Sequence, residues 1–306
     1  MCSKDIKEKI IIDTDIGDDI DDALAIALAI NSPEIEVVAI TTVYKNAKAR
    51  TRLAKKLLIM AGREDIPVYT GVSQPLINKV NESEIPNHYL KDMDDILVNE
   101  DINGVDFIIS SIMASEGDIS LVPIGPLTNI AMAIMKKPEI KSKIKNIVLM
   151  GGAYYFHCNE YNIQCDPEAA RVVFQSGVKI KAVGLDVTLK CQLTHEDIHR
   201  IQNQSKDVTK FLSNLISHWR GKNDYLPILH DPLAIYAVFN DGLLEFNEER
   251  IVVETKGEFT RGTTFNQTSY RWGRADSVNS NIWTAKSVEG KGFVELFMNR
   301  IFEKNS

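Results

Sequence analysis

The stretch IIIDTDIGDDIDDALAIALAI, residues 10–30, places six carboxylates within ten positions, between two apolar runs. The six acids are Asp13, Asp15, Asp18, Asp19, Asp21 and Asp22. Helix capping accounts for one or two of them, because a helix dipole stabilises only the acids of its first turn. Unpaired carboxylates a few ångströms apart repel, and burial increases that cost. The cluster therefore predicts a bound divalent cation, and carboxylate oxygens are typical ligands of Ca²⁺ or Mg²⁺.

The local pattern around these acids predicts a strand, a turn and a helix. IIIDTD is typical of a buried strand that ends with Asp13 and Asp15, and Gly17 permits a tight turn before the next helix. The spacing does not fit an EF-hand. A DxD after a first strand is also typical of haloacid-dehalogenase-type Mg²⁺ phosphohydrolases, in which Asp13 would be the nucleophile. The loop alone leaves that alternative open, although Gly17 stands where those enzymes usually carry Thr.

The rest of the chain alternates strand and helix patterns. Runs rich in Val, Ile and Leu predict strands at 9–14, 36–43, 118–125, 145–152, 179–186 and 250–255. Helical patterns follow at 22–31, 47–61, 104–115, 127–136, 167–176, 207–220, 231–239 and 292–303. This alternation predicts a single-domain, Rossmann-like α/β fold over residues 1–306, with a mainly parallel sheet and helices on both faces. Residues 71–103, called the flap segment below, form a long polar insertion.

Composition narrows the class of protein. The chain has 306 residues and a net charge of −7, which argues against a nucleic-acid partner bound through a basic face. The longest apolar run, ALAIALAI, has eight residues and is too short to span a membrane. The four cysteines show no CxxC spacing, and the N-terminus lacks a signal-peptide pattern. We therefore expect a cytoplasmic protein with reduced thiols and no membrane partner.

Four further motifs stand where strands are expected to end, which is where open α/β sheets bind ligands. They are ITTVYKN (40–46), LVPIGPLTNIA (121–131), MGGAYYFHCNEYNIQCDPEAA (150–170) and LHDPLAIYA (229–237). Together with the acidic stretch, and in this order, they resemble the inosine-uridine-preferring nucleoside hydrolase family from about residue 9 to the C-terminus. The resemblance implies the nucleoside hydrolase fold, cleavage of ribonucleosides to ribose and a free nucleobase, a bound Ca²⁺ ion, and a homodimer or homotetramer.

The resemblance also implies a set of metal ligands. Asp15 would contact the metal and act as the base toward a water held there. Asp22 would be a bidentate ligand, Asp231 a third carboxylate ligand, and the backbone carbonyl of Ile124 would complete the protein ligands. Asp13 would support, from the interior, the acidic loop, residues 15–21, that joins the first predicted strand to the first predicted helix.

Substrate contacts follow from the same resemblance. Asp21 and Asn46 would bind the ribose hydroxyls, while Glu160 and Asn162 would bind the ribose near its 5′ end. His230 would lie near the nucleobase and protonate it as it leaves, a role suited to an imidazole.

The sequence departs from the common family signature in the acidic loop. That signature, DxDxGxDDA, has one residue between the glycine and the paired acids, whereas three residues separate Gly17 from Asp21 and Asp22 here. We align the later pair because DDALA opens the helix, and we expect Asp18 and Asp19 to be solvent-facing loop acids.

Base preference stays open at this point. Many relatives carry a His-Gly-x-Asp-Gly stretch in the flap, for which His88 is a weak substitute. Trp219, Tyr225 and Phe156 are candidates for stacking on a nucleobase, and the role of the loop 154–156 is open. A third possibility is a non-catalytic protein that binds nucleosides or ribose and has lost turnover.

Overall fold

The computed structural model describes residues 7–204, 206–267 and 280–303. Within them, eight strands form the main sheet in the order β3-β2-β1-β4-β5-β6-β10-β7, and all neighbours are parallel except β10 and β7. The strands of this sheet are β1 Glu8–Thr14, β2 Ile35–Thr42, β3 Val68–Thr70, β4 Ile119–Pro123, β5 Ile147–Met150, β6 Ile180–Val183, β7 Leu244–Glu248 and β10 Ile282–Val288. Strands β8 Ile251–Val253 and β9 Thr264–Asn266 form a separate antiparallel pair. The predicted α/β architecture with a mainly parallel sheet is confirmed.

Helices cover both faces of the sheet. They are α1 Asp21–Ile30, α2 Ala47–Met60, α3 Gly104–Ala114, α4 Thr128–Lys136, α5 Tyr161–Cys165, α6 Pro167–Phe174, α7 Leu185–Thr188, α8 His195–Gln202, α9 Asp207–Arg220, α10 His230–Phe239 and α11 Gly290–Met298. Strand β1 contributes to two hydrophobic clusters: Ile10 and Ile12 belong to the one that contains α1, α9 and α10, and Ile11 to the one that contains α3, α4 and α6. Successive side chains of a strand point to opposite faces, so a strand buried on both sides is apolar throughout.

The predicted strand at 250–255 is corrected by the structure. Only Ile251–Val253 is a strand, and it pairs with β9 outside the main sheet. The place beside β6 belongs to β10, whose sequence IWTAKSV contains polar residues. Strand β10 lies next to the edge of the sheet, where its side chains are only partly buried, so it lacks the continuous apolar signal of the central strands.

The other predicted helices and strands are present in the structure, but the first or last residues of most of them differ from the predicted ones. All eight predicted helices are present, although the last one ends as an α-helix at Met298 and continues as a π-helical turn, Asn299–Glu303. The predicted strand 179–186 ends at Val183, because the backbone turns into α7. Helices α5, α7 and α8 and strands β3 and β7 are short elements that the sequence pattern did not indicate. No helix in the described parts of the chain has the length and apolar character needed to cross a bilayer.

The flap segment lies against helix α2. Its described secondary structure is one 3₁₀ turn, Lys91–Met93. Lys56 of α2 forms an ion pair with Asp92 at 2.9 Å, and Lys55 donates to the carbonyl oxygen of Leu97 at 2.5 Å. The basic face of α2 therefore meets the acidic flap segment.

The centre of the sheet supplies a test of the core. Ile12 in β1 is completely buried between two parallel strands, so replacing it with Ala removes apolar burial and leaves a cavity. We expect Ile12→Ala to lower the free energy of unfolding by about 2–5 kcal/mol, measured by denaturant unfolding. Ile77→Ala is the matched control, because Ile77 is exposed. Equal effects of the two substitutions would contradict the central position of β1.

Candidate active site

A cavity of about 460 Å³ lies beyond the carboxyl ends of β1, β4 and β5. One group of the residues that line this cavity comes directly after these strands or lies at the start of a helix. This group contains Asp15, Asp21, Asp22, Ile124, Glu160, Asn162, His230 and Asp231. A second group comes from the flap segment and from the region of α9 and the loop that follows it. This group contains Asn87, His88, His218, Trp219, Lys222, Asn223 and Tyr225.

Three buried carboxylates meet at the starts of α1 and α10. Asp21, Asp22 and Asp231 each place one carboxylate oxygen within 4.8 Å of the others. The backbone N–H of Asp231 donates to the Asp21 carboxylate at 3.3 Å, and the Thr14 hydroxyl donates to Asp22. Two helix N-termini therefore converge here and partly stabilise the negative charge.

Asp15 lines the same cavity next to the three carboxylates. A Cβ atom built on Gly125 would lie 2.5 Å from the Asp15 Oδ1 atom, so the carboxylate lies directly against the backbone that follows β4. Only glycine allows this close approach.

Burial and mutual repulsion raise the pKa of every carboxyl in this cluster. Burial has the largest effect on the pKa of Asp22, followed by the charges of Asp15 and Asp21. The pKa of Asp231 is raised by burial and then by Asp21 and Asp22, and that of Asp15 rises to about 6 for the same primary reason. A dense set of buried carboxylate oxygens fits a hard divalent cation, which would remove this repulsion. The donor set therefore fits the predicted metal.

Asp13 lies behind the cavity and does not line it. It is completely buried, and its Oδ1 atom accepts hydrogen bonds from the Thr41 hydroxyl at 2.5 Å and the Asn129 amide at 2.7 Å. Burial raises the pKa of Asp13 to about 7. The supporting position expected for Asp13 agrees with these contacts, whereas a nucleophile would have to reach the cavity.

Arg50, which the sequence did not single out, supports the acidic loop. Its side chain is 1% exposed, and its guanidinium donates to the carbonyl oxygens of Asp15, Ile16 and Tyr44. In the sequence, AKARTRLAKK is typical of a solvated basic helix face, so nothing distinguished Arg50 from its neighbours.

Glu160 and Asn162 lie at the start of α5. The Glu160 carboxylate accepts hydrogen bonds from the backbone N–H groups of Gly152, Asn162 and Ile163 at 2.8–3.0 Å, and these bonds fix its orientation. The Asn162 amide donates to the carbonyl oxygens of Ile124 at 3.0 Å and of Met150. The carbonyl of Ile124 retains a second lone pair for a cation.

His230 is the first residue of α10. Its Nδ1 atom lies 2.7 Å from the hydroxyl of Thr188 in α7, a partner that sequence reasoning missed because α7 has only four residues. Burial lowers the pKa of His230 to about 4. The imidazole is therefore neutral at pH 7 in the free cavity.

Asn46 is absent from the described cavity lining, unlike the other residues predicted to contact the metal or the substrate. Its Oδ1 atom accepts the backbone N–H of Ala49 at 3.0 Å and so caps helix α2. Tyr44 and Lys45, just before it, have positive φ angles of 73° and 49°. The strained turn delivers Asn46 to the helix start, and its predicted contact with ribose stays a prediction.

Asp18 and Asp19 differ from each other in the structure. The expectation that Asp18 faces solvent is wrong: its carboxylate pairs with Arg50 at 2.7 Å and its side chain is 27% exposed. Asp19 is exposed as expected, but it also lines the cavity beside the indole of Trp219. The buried guanidinium of Arg50 offers Asp18 a better partner than water does.

The three aromatic residues considered for stacking on a nucleobase lie in two different cavities. Trp219 and Tyr225 line the cavity and contact each other edge to face, with ring centroids 5.1 Å apart. Phe156 instead lines a small separate cavity together with Tyr154 and Tyr155.

His88 in the flap segment lies in the cavity wall. Its side chain is 1% exposed, and its two ring nitrogens have no hydrogen-bond partner among the described residues. Burial lowers the pKa of His88 to about 4, and the neighbouring His218 acts in the same direction. A neutral imidazole with unpaired nitrogens can donate one hydrogen bond and accept another from a ligand.

Comparison with known proteins agrees with this geometry. Residues 10–295 match the family described as inosine-uridine preferring nucleoside hydrolase. The chain is 34% identical to uridine nucleosidase 1 of Arabidopsis thaliana, over 92% of this chain and 87% of that protein. It is 33% identical to the pyrimidine-specific ribonucleoside hydrolase RihA of Escherichia coli O1:K1 / APEC, over 95% and 97%. The solved purine-preferring ribonucleoside hydrolase from Gardnerella vaginalis has a TM-score of 0.82 and 32% identity, with 96% and 98% covered.

His88 leads to a prediction about pH. Because its pKa is 6.5 in an unfolded chain and about 4 in the native state, only the unfolded state binds the proton between these values. His88 should therefore make the wild-type protein less stable as pH falls from 6.5 to 4, by about 1.4 kcal/mol for each pH unit. We expect His88→Leu to reduce this slope, measured by denaturant unfolding across that range. Identical slopes would contradict the buried, neutral state of His88.

Proposed function

Since the chain belongs to the inosine-uridine preferring nucleoside hydrolase family and is a hydrolase of N-glycosyl bonds, we propose that it is a Ca²⁺-dependent ribonucleoside hydrolase. It would cleave the bond between ribose and nucleobase with water. The observation that carries this proposal is the convergence of three buried carboxylates, Asp21, Asp22 and Asp231, in a cavity that His230 also lines.

The metal would be held by Asp15, Asp22, Asp231 and the carbonyl oxygen of Ile124, all of which line one cavity. When bound, Ca²⁺ would lower the pKa of a water molecule and orient it. Asp21 is close enough to the same carboxylates to share the charge of the ion. This set consists only of oxygens, which favours Ca²⁺ over zinc.

Asp15 would be the base. Its carboxylate lines the cavity beside Asp22 and Asp231, where it can take a proton from the attacking water. Gly125 and the Arg50 guanidinium, which contacts the carbonyl oxygen of Asp15, hold this residue in place. A base must be oriented before it can act, and these two contacts supply that orientation.

The ribose would lie between Asp21 on one side and Glu160 and Asn162 on the other. Glycosidic cleavage passes through a positively charged, oxocarbenium-like transition state, which nearby carboxylates stabilise. The three backbone donors to Glu160 keep its carboxylate fixed while that charge develops.

His230 would protonate the departing base. When the hydroxyl of Thr188 donates to Nδ1, the ring proton is carried by Nε2, the other nitrogen of the ring. His230 is neutral in the free cavity, so it would first take up a proton from solvent, with the Thr188 hydroxyl then accepting a hydrogen bond from Nδ1. The imidazolium would donate its Nε2 proton to the leaving base and return to the neutral form. A leaving-group acid contributes about 10²–10⁴-fold to such a reaction.

The alternatives have less support. An Mg²⁺ phosphohydrolase that uses Asp13 as nucleophile conflicts with its burial outside the cavity lining. A protein that binds nucleosides without turnover would not need the Asp15 and His230 arrangement. The named relatives include both pyrimidine- and purine-preferring enzymes, so base preference is left to experiment. A homodimer or homotetramer and a cytoplasmic location stay predictions.

Ribose release tests the proposal directly. We expect the purified protein to release reducing sugar from at least one ribonucleoside in a panel of purine and pyrimidine nucleosides. Chelation should remove this activity, and added Ca²⁺ should restore it, because the ion offsets the repulsion among the carboxylates. The measurement is a reducing-sugar assay before chelation, after chelation and after Ca²⁺ addition.

Asp15→Asn is the control for this assay. It keeps the shape of the side chain and removes the base, so turnover should fall while the fold is retained. Nucleoside binding without ribose release by the wild-type protein would support the non-catalytic alternative, and phosphate release from phosphate esters with Mg²⁺ would support the phosphohydrolase.

The leaving-group role of His230 has its own test. We expect His230→Ala to slow hydrolysis of the preferred nucleoside by about 10²–10⁴-fold, because a neutral base leaves poorly without a proton. Hydrolysis of p-nitrophenyl riboside should change much less, since nitrophenolate leaves without one. The measurement is kcat for both substrates. An equal loss on both would show that His230 acts in some other way.

A further inference from the structure

Asp18 has two partners from different parts of the chain. Its Oδ2 atom lies 2.7 Å from the guanidinium of Arg50, and its Oδ1 atom accepts the backbone N–H of Asn87 at 3.3 Å. Arg50 belongs to α2 beneath the acidic loop, whereas Asn87 belongs to the flap segment. One carboxylate therefore joins a buried cation to the backbone of the flap segment.

The same part of the flap segment contacts the acidic loop at Gly17. The backbone N–H of His88 donates to the carbonyl oxygen of Gly17 at 2.8 Å. A Cβ atom built on Gly17, whose φ is +129°, would lie 2.6 Å from the Pro86 Cβ atom. Residues 86–88 therefore lie directly on Gly17 and Asp18, and any side chain at position 17 would separate them.

Arg50 provides a fixed base for this contact. Its guanidinium donates to the carbonyl oxygens of Asp15 and Ile16 and, through Nε, to that of Tyr44. These bonds hold the guanidinium in one orientation, so the Asp18 carboxylate is held as well. The ion pair of Asp92 with Lys56 also joins the flap segment to α2, but the Asp92 side chain is 57% exposed and does not line the cavity.

We propose that Asp18 is a positioning residue: by joining Arg50 to the backbone of Asn87, it holds His88 in the wall of the cavity. This inference rests on the proposed function, because it takes that cavity to be the nucleoside site. His88 and Asn87 both line the cavity, and the buried ring nitrogens of His88 have no hydrogen-bond partner among the described residues. Loss of the Asp18 contact should therefore weaken substrate binding more than it slows the chemical step.

Asp18→Asn tests this role, because it keeps the size of the side chain and removes its charge. We expect hydrogen exchange at the amides of residues 87–90 to become about 10-fold faster, since these amides would open more often. We expect KM for the preferred nucleoside to rise about 5- to 10-fold while kcat stays within about twofold, the pattern of an interaction made equally in the ground and transition states. Asp18→Glu, which restores the charge, should recover part of both losses.

Asp92→Asn is the matched control, since it removes another ion pair between the flap segment and α2. It should leave KM and the amide exchange of residues 87–90 within about twofold of wild type, because an exposed pair contributes little. Equal effects of the two substitutions would overturn the proposal, as would unchanged exchange in Asp18→Asn. A fall in kcat with unchanged KM would also overturn it, because it would place the effect on Asp15.

Failure of the variant to fold and failure of the proposed function can each be distinguished from failure of this proposal. Should Asp18→Asn fail to fold because Arg50 is left as an unpaired buried charge, the double variant Arg50→Gln/Asp18→Asn removes both charges together. It should show the same faster exchange at residues 87–90, and protection equal to wild type would overturn the proposal. Should the wild-type protein release no ribose, the proposed function fails, while the exchange comparison still decides whether Asp18 positions the flap segment.

Discussion

Repulsion among buried carboxylates is the constraint on which the rest of the structure depends. Asp21, Asp22 and Asp231 lie within 4.8 Å of one another, and Asp15 acts on the pKa of both Asp22 and Asp231. Without a compensating cation, such a cluster would protonate or destabilise the fold. The parallel sheet offsets part of this repulsion, because it brings the positive N-terminal ends of two helices to the carboxyl end of β1. The buried guanidinium of Arg50 supplies a further part, and the proposed divalent cation would supply the remainder.

The sheet explains why these residues are distant in sequence and adjacent in space. Strand β1 lies between β2 and β4, so its carboxyl end opens between the loops that follow its neighbours. Asp15 therefore meets Gly125 after β4, and Asp13 accepts hydrogen bonds from Thr41 of β2 and Asn129 of α4. A parallel strand that is apolar on both faces offers no other place for polar groups than its ends.

Sequence reasoning succeeded where the signal is local and continuous. The apolar runs of β1 and β2 and the acids of the first motif could be recognised from type and spacing alone. It failed where long-range contacts decide the outcome: β10 is polar because it lies next to the sheet edge, and Asp18 is paired because Arg50 is buried beneath it. No spacing rule separates Arg50 from the exposed basic residues of α2, since its burial depends on how the acidic loop folds over it. His88 likewise gains its position from the flap segment, which has little regular structure.

The acidic loop shows how additional charge can be accommodated near the candidate metal site. Two extra acids beside four buried carboxylates would increase the repulsion that the site must offset. The structure places them differently: Asp18 turns toward Arg50, whereas Asp19 is exposed at the cavity lining, where its charge still raises the pKa of Asp21. A partly buried ion pair contributes little net stability, because desolvation of both groups offsets their attraction. The pair is better explained by the backbone that it positions, since the oriented guanidinium fixes Asp18 and, through Asn87, the backbone that carries His88.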